Sequence, residues 1–187
     1  MNNAFFIEDS NYPSTHSKDD ISQNYIFGYK KLADMTAETL SSKGGCRYDD
    51  TVRLPMLFLY RHYIELRLKG LYTLYNNVHG DESSNKKTLN NHKISHIWEE
   101  LQKLIVKQFT NKEDLDPDLF ESIDLVVFSF SKYDDSAQFF RYDKNNKGKP
   151  HLSLNFMIDY EKLSSAIDSA DDSFDAFEYI LNPPNQY

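Results

Sequence analysis

Residues 56–72 constrain this chain more than any other segment. Met56, Leu57, Phe58, Leu59, Tyr60, Tyr63, Ile64, Leu66, Leu68, Leu71 and Tyr72 leave a helix here with scarcely a polar face. A helix that is apolar almost all round must be enclosed by other elements. The segment therefore predicts a central helix, capped by Asp49 or Asp50, with Pro55 in its first turns.

Other segments supply the enclosure. Ile21, Tyr25, Tyr29, Leu32, Met35 and Leu40 recur at helical spacing and predict a helix over 20–43, stopped by Gly44-Gly45. A polar stretch over 76–91 reads as a loop. Ile94, Ile97, Trp98, Leu101, Leu104 and Ile105 then mark a helix running to Gln108. Asp116-Pro117 opens another, with Leu119, Phe120, Ile123, Val126, Val127 and Phe130 as its apolar face. Two aromatic or apolar runs, 138–142 and 151–154, flank a polar turn over 143–148 and predict a β-hairpin. A last helix over 157–181 carries Ile158, Leu163, Ile167, Phe174, Phe177 and Ile180 and ends before Pro183-Pro184. The expected fold is mostly α, an up-down bundle of about five helices with a β-hairpin inserted before the last. It comprises an N-terminal arm (1–19), one helical domain (20–182) and a short tail (183–187).

Composition narrows the functional classes. The chain has 187 residues, 40% hydrophobic and 27% charged, which is the make-up of one folded domain. Its single cysteine, Cys46, excludes an internal disulfide framework and any multi-cysteine metal site, which points to a reducing, cytoplasmic setting. No apolar run reaches membrane-spanning length and the N-terminus has no secretory pattern, so no membrane partner is expected. The formal net charge is −8, but residues 1–20 hold one Lys against four acids and 159–187 one Lys against seven. The body between them is near neutral, and a local basic surface is compatible with the overall acidity. Glycine-rich phosphate loops, a G-x-S-x-G elbow and an EF-hand loop are all missing from the sequence.

Chemistry concentrates in three places. On the central helix Arg61, Glu65 and Lys69 stack along one face, with His62 one position round and within reach of Glu65. This strip reads either as an internal ion-pair ladder or as the lining of a cleft. His92 and His96 lie four apart, a spacing that can present two metal ligands, but no cysteine or suitably placed glutamate completes a set. No metal and no cofactor is expected, and His92 reads better as a hydrogen-bonding or acid/base group. Arg141 is bracketed by Phe139, Phe140 and Tyr142. On a strand it would point away from Phe140 and Tyr142, and it would either pair with Glu65 or Asp135 inside the fold or grip a phosphate.

The runs Phe58-Leu59-Tyr60-Arg61-His62-Tyr63-Ile64-Glu65-Leu66-Arg67-Leu68-Lys69, Asn91-His92-Lys93-Ile94-Ser95-His96-Ile97-Trp98 and Phe140-Arg141-Tyr142-Asp143 together resemble bacterial and phage-borne helical proteins of the HEPN superfamily. The likeness spans roughly residues 50–155. It implies a bundle of four or five helices, a homodimer, and a place in toxin–antitoxin or phage-defence biology as a ribonuclease or substrate-binding partner. That family's ribonucleases carry an Arg followed, after four to six intervening residues, by a His, and no Arg here has that gap. Arg53 and His62 are nine apart, on opposite faces of a helix.

The expected function is thus engagement of RNA or a nucleotide. Arg61, His62 and His92 are the catalytic candidates of a rearranged ribonuclease site, and Glu65, Lys69, His96, Arg141 and Tyr142 are the ligand-binding candidates. The rival is a non-catalytic interaction module that binds a protein partner through the acidic C-terminal helix and the aromatic hairpin. A basic cleft around Arg61, Lys69 and Arg141 would favour the first, and a flat apolar patch with those residues paired internally would favour the second.

Overall fold

A computed structural model describes residues 18–42, 49–79, 85–108, 115–142, 144, 147–148 and 156–183. Among them are six helices: α1 (Lys18–Ser42), α2 (Asp49–His79), α3 (Asn85–Leu89), α4 (Ile94–Gln108), α5 (Pro117–Asp134) and α6 (Tyr160–Leu181). α2 is central. It packs against α1, α3, α4 and α6, while α5 closes the ring between α4 and α6. Tyr60, Tyr63, Ile64, Leu68 and Leu71 of α2 are fully enclosed, as its all-round apolar pattern demands.

The other helices turn one stripe inward. Ile94, Ile97, Trp98, Leu101 and Ile105 are buried from α4, Ile123, Val126, Val127 and Phe130 from α5, and Ile167, Phe174 and Phe177 from α6. Caps at two helix starts are set by sequence. Asp116 accepts from Asp118 N–H with Pro117 in the first turn, and Asp159 accepts from Lys162 N–H at 3.0 Å.

Several expectations are corrected. Six helices replace five: the expected loop over 76–91 contains the end of α2, which runs on to His79, and the short α3. α1 begins at Lys18, inside the expected arm, and turns a different face inward. Tyr25, Leu32 and Met35 are exposed, and Ala33, Ala37 and Leu40 are buried, because small residues let α1 approach the large tyrosines of α2 closely. α6 starts at Tyr160, after its Asp159 cap.

No β-hairpin is seen among the described residues. Residues 138–142 form a turn, and 151–154, like Gly44-Gly45, lie outside the described residues. The turn has a local cause. The buried Asp134 carboxylate accepts from the backbone N–H groups of Gln138 (2.7 Å) and Phe140 (3.1 Å), and Tyr142 N–H donates to Gln138 O (3.1 Å). Backbone donors satisfied by a carboxylate and a turn have no need of a partner strand. Ala137, at φ 60°, makes the left-handed step that starts the turn.

Candidate functional site

Arg61 is wholly enclosed, at 0% exposure. Its guanidinium donates through Nε to Asp134 O (3.1 Å), through Nη1 to Glu65, and through Nη2 to His92 O and to Asp135 O (2.9 Å). One side chain thus ties α2 to the end of α5 and to the entry of α4. Asp135 continues the junction: its carbonyl accepts from Ile94 N–H (3.2 Å) and its carboxylate from Ser95 N–H (3.1 Å), so the end of α5 caps the start of α4.

Glu65, buried beside Arg61, also accepts from Lys69 Nζ (2.7 Å) and from the His92 ring through Nδ1 (2.8 Å). Burial pushes this carboxyl up, but the hydrogen bonds from Lys69 and Arg61 outweigh it and hold the group at about 2. A carboxylate held so far down only accepts, so His92 carries its proton on Nδ1 when neutral, and Nε2 is its free acceptor. The His92 side chain is 66% exposed. An exposed imidazole oriented by a buried carboxylate can exchange a proton with a bound molecule.

Of the two readings of Arg61, Glu65 and Lys69, the internal ladder is the one present, with Glu65 as its middle member. Of the two readings of Arg141, the internal pairing with Glu65 or Asp135 is not seen. Arg141 makes no ion pair among the described residues, and the carbonyl of Asp135 is taken by Arg61 instead. Because 138–142 is a turn, Arg141 does not point away from Tyr142: its guanidinium lies over the Tyr142 ring (5.2 Å) and over Phe58 (5.3 Å), exposed to solvent.

From there a continuous ladder crosses the surface. Phe58 stacks on His62, with ring centroids 5.6 Å apart and planes 12° apart. His62 meets Tyr29 edge-on at 4.6 Å, and Tyr29 meets Tyr25 at 5.1 Å, with their hydroxyls 2.7 Å apart. Burial lowers the His62 pKa, Glu65 opposes the shift, and Arg61, Arg141 and Lys69 reinforce it. At neutral pH His62 is an uncharged ring within the stack. His96 stands apart on α4, half-buried and near Glu100, whose carboxyl is lowered first by Lys103 and more weakly by His96. Among the described residues no group of three or more His, Cys, Asp or Glu could hold a metal ion.

Sequence reasoning missed Tyr25, Tyr29 and Phe58 as site residues because their helical spacing reads as core. It also missed a second polar cluster. Arg67, buried between α1, α2 and α6, pairs with Asp175 and with Glu178 (3.2 Å), lies 3.7 Å from Asp171, and faces the rings of Phe27 and Phe174. Burial raises the Asp171 carboxyl against the opposing pull of Tyr63 and Arg67, and burial raises Glu178 against Arg67. The i, i+4 and i, i+3 spacing of Asp171, Asp175 and Glu178 on the acidic last helix was the available signal.

No protein-family model, curated protein or solved structure matches the chain. No helix among the described residues is long and apolar enough to cross a membrane.

Proposed function

We propose that this chain is an HEPN-like cytoplasmic protein of a defence or toxin–antitoxin system that engages single-stranded RNA or a nucleotide on the Tyr25–Tyr29–His62–Phe58–Arg141–Tyr142 surface. The observation that carries this reading is the unbroken series of ring contacts, stacked between Phe58 and His62 and edge-on beyond, ending in an exposed guanidinium without an ion pair among the described residues. Bases stack on aromatic faces whatever their identity, and an unpaired guanidinium takes a phosphate. Phe58 and His62 hold the middle of the ladder, and Arg141 with Tyr142 form its outer, adaptable end. The His92–Glu65 pair supplies the acid/base group for cleavage. Arg61, being enclosed, serves as a positioning residue that fixes Glu65 and the backbone on either side of His92.

Fluorescence anisotropy with a labelled single-stranded RNA, with ATP and GTP as competitors, tests the reading. Arg141→Ala and Tyr142→Ala should each weaken binding about tenfold, in line with ~1–3 kcal/mol per stacked base. The affinity should also fall steeply with salt. His92→Ala should leave binding in place and remove any cleavage. A wild-type protein that binds neither RNA nor nucleotide at low salt ends this reading.

A further inference from the structure

A cavity of about 310 Å³ lies between α2, α5 and the start of α6, and none of the aromatic ladder lines it. Its walls are apolar: Leu57 from α2, Phe130 from α5, Phe140 from the turn, Ile158 from the segment ahead of α6 and Leu163 from α6 itself. The ring planes there are not parallel. Phe130 meets Phe140 at 83°, and Tyr133 lies at 42° to Phe156. A flexible chain follows such a surface better than a flat ring does. Met157 also lines the cavity, yet it is 98% exposed. An unbranched thioether left in water gains by folding over an apolar ligand.

The cavity opens into a groove between α5 and α6, with which it shares Leu125, Ser129, Lys162 and Ala166. Here the lining turns polar and basic. Lys162 is exposed and makes no ion pair among the described residues. Lys132, which lines the groove near Ser129, makes none either and rests over the Tyr133 ring at 5.4 Å. The acids nearby are committed or distant. Asp159 caps α6 by accepting from Lys162 N–H, and Asp124 accepts from Trp98 Nε1 (2.6 Å) and from Gln102 (2.8 Å). Glu121 precedes Ser129 on α5 by about 12 Å of helix. Small-molecule sites are mostly apolar hollows of ~300–1,000 Å³ in which a few converging polar groups fix the orientation. We propose that this cavity binds a medium-chain fatty acid, its chain among Phe130, Phe140 and Leu163 and its carboxylate on Lys162. An amine would meet two like charges at the mouth, and an alcohol would leave both ammonium groups unanswered. The site shares no residue with the aromatic ladder and does not depend on its function.

Isothermal titration calorimetry of the full chain with octanoate, octanol and octylamine decides the matter, with circular dichroism melts on every variant. Octanoate should bind saturably, one molecule per chain, and each CH₂ added between hexanoate and octanoate should tighten binding about fourfold. Octanol should bind more weakly and octylamine most weakly of the three. Lys162→Gln should weaken octanoate about fivefold, as expected of an exposed ion pair, and leave octanol unchanged. Ser129→Trp, at the exposed mouth, should block octanoate and octanol alike while leaving the melt unchanged. A wild type that binds no octanoate saturably overturns the proposal and leaves the cavity to an apolar side chain of a partner protein. So does octanoate binding that survives Ser129→Trp, which would lie elsewhere on the chain, or octanoate binding indifferent to Lys162→Gln.

Discussion

The Nη2 atom of Arg61 donates to the carbonyl of Asp135 at 2.9 Å, although the two residues are 74 apart in sequence. Through this contact α2 holds the end of α5, whose carboxylate in turn caps α4. Arg61→Ala should therefore take one of its three partners from the buried Glu65 carboxylate, leave the Asp134 and His92 carbonyls without the guanidinium and leave the Asp135 carbonyl with Ile94 N–H alone, at a cost of roughly 3–5 kcal/mol. Urea denaturation checks this. Arg61→Lys should recover little of the loss, because an ammonium cannot span the same fork of acceptors.

Glu65 makes stability depend on pH. Its carboxyl is held at about 2 when folded, against ~4.3 unfolded, so its contribution is complete above about pH 4.3 and is lost as pH falls through 2. Wild type should exceed Glu65→Gln by about 3 kcal/mol at neutral pH, and the gap should close between pH 4.3 and 2. Denaturant titrations of both proteins across that range measure it. A gap that is constant with pH would refute the assigned role.

Leu68 and Ile64 of α2 are wholly buried at the centre of the bundle. Replacing either by Ala should cost ~2–5 kcal/mol. The shift in denaturation midpoint gives the value, and a negligible shift for both would mean that α2 is peripheral.

Asp134 holds the turn that carries Arg141 through its two backbone hydrogen bonds. Asp134→Ala should lower stability by about 1–3 kcal/mol and, by freeing the turn, weaken RNA binding as Arg141→Ala does. Asp134→Asn, which keeps one acceptor, should fall between. Binding unaffected by Asp134→Ala would separate the turn from the site.

His62 should titrate below the ordinary histidine range of about 6.5, since burial within the stack disfavours its cation. Protonation adds a positive charge beside Arg141, so RNA affinity should rise as pH falls through that lowered value. An NMR titration of the ring, run alongside anisotropy, follows both. His62→Phe should keep the stack and lose the pH response.

The helical architecture was legible because burial leaves a periodic trace. The apolar girth of residues 56–72 made α2 central, Asp116-Pro117 marked the start of α5, and the stripe ending at Phe130 marked the face it buries. The stacking of Arg61, Glu65 and Lys69 on one face was equally legible, because i, i+4 spacing is fixed by the helix itself, but whether it paired internally or lined a cleft was not. What spacing could not convey was which of two apolar-looking faces is covered. Tyr25 and Tyr29 follow the same period as a core stripe, yet Ala33 and Ala37 face α2, since close packing there rewards small residues over large ones.

By itself, the sequence determined five of the six helices, the inward stripes of α4, α5 and α6, and the i, i+4 stacking of charges on α2, because these depend on neighbours within about four residues along a helix. Only the tertiary structure decided that Arg61 is enclosed and Arg141 is outward. Each depends on where distant backbone groups come to lie: the carbonyls of His92, Asp134 and Asp135 converge on Arg61, and the Asp134 carboxylate captures the amides of Gln138 and Phe140. With those amides satisfied, the stretch 138–142 turns where its alternation suggested a strand, and Arg141 is carried onto Phe58 at the end of the ladder.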